Sequence, residues 1–174
     1  PSPFYMPYKR ILIMIFSLFS SALSAKPLEI GDRAPQISAI DHAGQHIDLG
    51  AALQQGTCVV FFYPKALTPG CTKQACSLRN AWDELQARGV KTFGISVDSA
   101  ATQKRFREQH KLPYTLIADR DKAVSKAFGR HRFSRQAYIF QSGRLVWRDL
   151  RAATSNQAEE VLAALDALQG QSSD

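Results

Sequence analysis

Apolar and polar positions along the chain fall into blocks that read alternately as strands and helices. Cys58-Val59-Val60-Phe61-Phe62-Tyr63 is an unbroken apolar run, rich in β-branched and aromatic residues. A run that short and continuous predicts a strand buried on both faces. Val90–Val97 predicts a second strand and Tyr114–Ala118 a third. Ile37–Asp41 and Gln45–Leu49, around Ala43-Gly44, predict an N-terminal β-hairpin. Gln136–Phe140 and Arg144–Arg148, around Ser142-Gly143, predict a second hairpin near the C-terminus. The intervening blocks have helical character: one long stretch from near Pro69 to Arg88, then Ala100–His110 with Asp98 or Ser99 as its cap, then Lys122–Phe128. Asn156–Leu168 closes the chain with a helix whose Val161, Leu162, Leu165 and Leu168 form one stripe, and Thr154 and Gln157 have the spacing of a capping box. Gln169–Asp174 reads as a frayed end. This order predicts an α/β domain, a mixed central sheet flanked by helices with a β-hairpin at its N-terminal end.

The first residues follow a different pattern. Met6 is followed by Lys9-Arg10, an apolar run from Ile11 to Phe19, and the small-residue tail Ser20-Ser21-Ala22-Leu23-Ser24-Ala25. A basic head, a greasy middle and small residues predict a secretory signal peptide over 1–25, with residues 1–5 upstream of a start at Met6. The apolar run is shorter than the roughly 20 residues a membrane span needs. Cuts after Ala22 or Ser24 place small residues at −3 and −1, a cut after Ala25 is a further candidate, and no cysteine follows the apolar run to carry a lipid. The expectation is export to a bacterial periplasm, with 26–174 as the mature domain and no stable membrane association after cleavage.

Composition narrows the function. At 174 residues a single domain is the default, and 45% hydrophobic with 21% charged residues excludes a disordered chain. Three cysteines are too few for a disulfide-stapled scaffold or a four-thiolate zinc site. The formal charge of +7 falls to +5 once Lys9 and Arg10 are removed. Its densest patch, Arg130-His131-Arg132-Phe133-Ser134-Arg135, is too short for a nucleic-acid stripe, so no nucleic-acid partner is expected. His42 and His46 flank a turn without acidic or sulfur partners, which argues against a metal site. His110 and His131 read as surface, Trp82 as core, Trp147 as half-buried, and Cys58 as a small core residue.

The chemistry concentrates between Pro64 and Arg79, where a buried strand passes into a helix. Sites in open α/β sheets form at the carboxyl ends of strands. Pro69 suits a first helical turn, where its missing N–H costs nothing, and this puts Cys71 in that turn. A thiol there faces the positive end of the helix dipole and unsatisfied N–H groups, both of which favour thiolate. Thr68, three residues earlier, is within reach of the sulfur or of an oxygen bound to it. At about 100° per residue, Cys71, Ala75, Leu78, Trp82 and Leu85 fall on one face, and Cys76 points about 140° away. Five helical residues separate the two Cα atoms by roughly 7.5 Å, beyond the roughly 4.4–6.8 Å of ordinary disulfides. Joining these sulfurs therefore requires the helix to unwind.

The segment resembles the active site of the peroxiredoxins, which carry Pro-x-x-x-Thr-x-x-Cys, here Pro64, Thr68 and Cys71. Tyr63-Pro64-Lys65, Thr68-Pro69-Gly70-Cys71-Thr72 and Cys76 are similar to the bacterioferritin-comigratory, or PrxQ, subfamily. Gly31-Asp32-Arg33-Ala34-Pro35, Gly94-Ile95-Ser96-Val97-Asp98-Ser99 and Leu112-Pro113-Tyr114 to Asp119 add to the likeness. The resemblance implies a thioredoxin-like fold and a thiol peroxidase that needs no cofactor. It implies that Cys71 is the peroxidatic cysteine and Cys76 the resolving one. Thr68 would bind the peroxide oxygens, Pro64 would shield the sulfur, and an arginine would sit beside it. Arg135 fits that arginine best, with Arg132 and Arg130 as competitors. The implied partners are peroxide substrates and a thioredoxin-like reductant, and the implied state is a monomer or weak homodimer. Three departures stand out: a short Phe128–Arg135 stretch, Gln141 in place of an acidic residue, and Gln74 where many members have glutamate. The competing readings are an exported thiol–disulfide oxidoreductase, which usually carries Cys-x-x-Cys rather than four intervening residues, and a copper-binding module using Cys71, Cys76 and a histidine.

Overall fold

The computed structural model describes residues 26–130 and 134–170. The expected signal segment, residues 131–133 with His131 and Arg132, and the end beyond residue 170 lie outside the described residues. Three strands run parallel at the centre: β3 (Thr57–Phe62), β4 (Lys91–Ser96) and β5 (Thr115–Ala118). The antiparallel β6 (Gln136–Gln141) pairs with β3, and β7 (Arg144–Asp149) pairs with β6, giving the order β5-β4-β3-β6-β7. The expected mixed sheet is present. The first hairpin, β1 (Ser38–Ile40) with β2 (His46–Asp48), lies against its free edge: Asp41 bridges Ile117, and the His42 N–H donates to the Leu116 carbonyl at 2.8 Å. In return the Leu116 N–H donates to His42 Nδ1 at 3.3 Å, so that histidine serves the sheet edge.

β3 explains the two-sided core. Successive side chains of a strand point to opposite faces, and both faces of β3 are covered. Val59, Phe61 and Tyr63 join the cluster under α2 (Pro69–Asn80), α3 (Trp82–Ala87), α4 (Ala100–Gln109) and α6 (Gln157–Gly170). Cys58, Val60 and Phe62 join the opposite cluster with α1 (Leu49–Leu53) and α5 (Ala123–Ala127). Gly94 in β4 is required by packing, since a Cβ there would stand 2.7 Å from the Phe61 ring.

Several local expectations are revised or narrowed. The strand expected through Leu49 ends at Asp48, whose carboxylate accepts from the Ala51 N–H at 2.8 Å and starts α1. The single helix expected over Pro69–Arg88 is two, because Ala81 leaves helical geometry (φ −93°, ψ 10°). Just before it, Arg79 turns to Asn80 Oδ1 and to the His110 carbonyl. The buried stripe nevertheless continues through Leu85, whose N–H still bonds the Ala81 carbonyl, and Trp82 is half-buried against Tyr114 instead of fully in the core. α4 is capped by Ser99, leaving Asp98 for another task. The capping box does not form: α6 begins at Gln157, whose amide pairs with Gln74, and the Ala158 N–H finds Ser77 Oγ at 2.9 Å. His110 is half-buried, edge-on to Phe106. Among the described residues no helix is long and apolar enough to cross a membrane.

Candidate active site

The site is built where β3 ends and α2 begins. Thr68 is the N-cap residue of α2 in extended geometry, and Pro69 occupies the first turn. Cys71 follows, 1% exposed, on the face turned toward the sheet. Arg135, at the entry to β6, brings Nη2 to 3.7 Å from Cys71 Sγ and donates to it. Of the two candidate arginines among the described residues, Arg135 is the one that contacts the sulfur. Arg130 does something else: it donates through Nε and Nη2 to the Ser134 carbonyl and through Nη1 to Ser125 Oγ, and its guanidinium lies 5.2 Å above the Phe62 ring. Burial lowers its pKa from the ordinary arginine value.

The approach of Arg135 depends on a residue without a side chain. A Cβ built on Gly70 would stand 2.5 Å from Arg135 Nη2 and 3.6 Å from Thr154 Cγ2. The guanidinium thus crosses the helix start through the space that Gly70 leaves open, and the connection between β7 and α6 closes over it. The Ala152 N–H bonds the Arg135 carbonyl at 3.1 Å, fixing that connection. Arg135 Nε is buried without a hydrogen-bond partner among the described residues.

The loop before the cysteine is held from below. Asp98 Oδ2 accepts from the Ala66 N–H and from Ser96 Oγ, both at 2.7 Å. Tyr63 OH donates to Gln103 Oε1 at 2.5 Å, and Gln103 Nε2 bonds Ser96 Oγ and the Ile117 carbonyl. Burial pushes the Tyr63 phenol far above its ordinary range, so it stays a neutral donor. Leu67 takes a left-handed backbone (φ 64°), an uncommon conformation for a branched side chain, immediately before Thr68. Pro64 is half-buried at the top of β3.

Thr68 anchors the loop as well as occupying the N-cap of the helix. Its hydroxyl donates to the Lys65 carbonyl at 2.9 Å and makes no bond to the sulfur. Cys76 lies on α2 itself, half-buried, its thiol free like those of Cys58 and Cys71. The intact helix runs through both cysteines, as the geometry of the spacing requires. Cys58 is fully buried, and its thiol donates to the Ala52 carbonyl at 3.4 Å. Burial pushes it up to about 11, so it remains an inert thiol. No cluster of three or more His, Cys, Asp or Glu side chains placed to hold a metal ion occurs among the described residues.

Sequence reasoning named Cys71, Cys76, Thr68, Pro64 and Arg135, of which the fold brings Cys71 and Arg135 into contact. It missed Asp98 as the anchor of the loop, Gly70 as the passage for the arginine, and the Ala152–Thr154 cover. Only Gly70 carried a visible signal, a glycine inside the first turn of a helix, where most residues would be better helix formers.

Three comparisons bear on the family and fold of the chain that carries this cysteine and arginine. Residues 30–147 match the model of the AhpC/TSA family, and the chain belongs to that family. Within it the chain is similar to relatives of the Bcp and peroxiredoxin Q type. Peroxiredoxin Bcp of Escherichia coli is 46% identical over 103 residues, covering 59% of this chain and 65% of the relative. Peroxiredoxin Q of rice chloroplasts is 39% identical over 99 residues, 57% of this chain and 45% of the relative. These alignments therefore span less than two thirds of either relative. Peroxidoxin BcpB of Mycobacterium tuberculosis superposes with a TM-score of 0.74 at 29% identity, covering 80% of this chain and 97% of that structure. Peroxiredoxin Q of Xanthomonas campestris gives 0.74 at 25% identity, covering 80% and 96%. The thioredoxin-like fold expected from the sequence is the fold of these structures.

Proposed function

We propose that the protein is a thiol peroxidase that reduces hydrogen peroxide and organic hydroperoxides through Cys71. One observation carries this reading: the Arg135 guanidinium donates to a buried Cys71 sulfur that sits in the first turn of a helix. A cation and a row of backbone N–H groups both complement negative charge on that sulfur and on an oxygen leaving from it. The Cys71 thiolate attacks the terminal peroxide oxygen. The O–O bond breaks, the sulfur is oxidised to a sulfenic acid, and the departing oxygen takes a proton to leave as water or alcohol. Arg135 holds the developing charge through the guanidinium that already reaches the sulfur. The Thr68 hydroxyl, committed as a donor to Lys65, presents its oxygen to accept the proton of the incoming peroxide. Pro64 walls the sulfur from bulk water.

Cys76 is the resolving residue in this reading. Its sulfur attacks Cys71, a disulfide forms, the S–O bond breaks, and water leaves. A thioredoxin-like dithiol then restores both thiols by exchange. The basic-apolar-small pattern of residues 1–25 supports export to a periplasm, where the reductant is a periplasmic dithiol protein, and the chain acts as a monomer or weak homodimer in antioxidant defence.

The test follows peroxide in the presence of dithiothreitol. The wild type should consume it catalytically, Cys71→Ser should not, and Cys76→Ser should retain the first oxidation while losing the intramolecular disulfide. Reduction of insulin disulfides without peroxide consumption would establish the oxidoreductase reading in its place.

A further inference from the structure

We propose that Gln157 and Tyr114 are positioning residues that set how fast Cys76 resolves the Cys71 sulfenic acid, because they hold the residues between the two cysteines in helical form. The inference rests on the assignment of Cys76 as the resolving residue.

Only two of the four intervening residues are buried, Gln74 and Ala75. Each is tied to a different element. Gln74 Nε2 donates to Gln157 Oε1 at 2.9 Å, at the first residue of α6, and more weakly to the Phe62 carbonyl at 3.5 Å. Tyr114 OH donates to the Ala75 carbonyl at 2.6 Å, from the start of β5. A disulfide cannot form while α2 keeps its path from 71 to 76, so both bonds must break before the sulfurs meet. Unwinding has a natural limit one residue further on, where Ser77 Oγ accepts from the Ala158 N–H and pins the next turn to α6.

The Gln74–Gln157 pair is also only half made. Two facing amides can exchange two hydrogen bonds, yet Gln74 Oε1 and Gln157 Nε2 are buried without partners among the described residues. Opening α2 exposes these atoms to water, which offsets part of the cost of breaking the bond that does exist. The latch is therefore firm enough to keep Cys71 beside Arg135 and weak enough to release it.

Its release decides between two fates of the sulfenic acid. In one, Cys76 displaces water and the disulfide forms. In the other, a second peroxide oxidises the same sulfur to sulfinic acid, its O–O bond breaking to release water or alcohol. The latch slows the first and leaves the second untouched.

The experiment uses the full chain, one equivalent of hydrogen peroxide, acid quench and mass spectrometry, repeated with excess peroxide. Gln157→Leu and Tyr114→Phe should each form the 71–76 disulfide about five- to tenfold faster, the change expected from losing one hydrogen bond. Both should accumulate less sulfinic acid under excess peroxide, with the rate of the first oxidation unchanged. In a Gln74→Leu background, Gln157→Leu should add nothing, whereas Tyr114→Phe should still accelerate. A disulfide that forms at the wild-type rate in both variants would overturn the latch alone. Absence of that disulfide from the wild type would overturn the Cys76 assignment and the latch with it. Tyr114→Phe keeps the ring packed, so it decides the question even where Gln157→Leu does not fold.

Discussion

Gly70 and Cys58 show how far a single side chain, or its absence, governs this molecule. Gly70 has no reason in its backbone conformation to be glycine; what it supplies is room for Arg135. Gly70→Ala should leave the fold intact, since alanine is the better helix former by about 1 kcal/mol and the group it strikes is the mobile end of a side chain. It should nonetheless lower kcat/KM for peroxide by about 10- to 100-fold, because the displaced guanidinium no longer meets the sulfur. Unfolding curves alongside peroxide kinetics separate the two effects. Arg135→Ala should show the same kinetic loss with no relief.

Cys58 gives the alkaline limit. Burial raises it from an ordinary 9.0 to about 11, so the folded chain keeps its proton at pH values where the unfolded chain loses it. The stability this contributes is whole below pH 9 and declines as pH rises toward 11, by roughly 2–3 kcal/mol if nothing else intervenes. Urea melts of Cys58→Ala between those pH values should lack that decline. Iodoacetamide on the native protein should leave Cys58 unmodified.

At the scale of elements, strand positions were legible and helix ends were not. β3 announced itself because six apolar residues in a row have no other economical place than a strand covered on both sides. α2 and α3 were read as one helix because their buried stripe is continuous, and the break at Ala81 leaves the stripe intact. The start of α6 departs from the spacing because the Ala158 N–H is served by Ser77 from another helix, a partner no local spacing reveals. α5 likewise borrows its cap from outside: the Asp119 carboxylate accepts from the Val124 and Ser125 N–H groups, both at 2.9 Å, with the carboxylate buried. Asp119→Ala should cost about 2 kcal/mol in urea unfolding. Asp119→Asn should cost less, since one acceptor oxygen remains.

Across the whole molecule, α6 acts as a splint along α2 and α3. It is attached at Gln157 and Ala158 to α2 and, near its other end, through Asp166 to Arg88, which also pairs with Glu84. The Arg88 pairs reach into solvent, so Arg88→Ala should cost under about 1 kcal/mol and less still in high salt. The division of labour follows from this: screened contacts secure the far end, and the desolvated ones lie over the cysteines, where the helix must open.

What the residue string settled by itself was local: which runs are strands, that a proline-led helix starts just before Cys71, and that Cys71 and Cys76 cannot bond across an intact helix. Those conclusions need only backbone geometry and the period of the chain. Which arginine reaches the sulfur, what room it passes through, and which groups lock α2 were decided by tertiary structure. Arg135 is 64 positions from Cys71 and Gln157 is 83 from Gln74, and partners so distant become neighbours only through the order of strands in the sheet.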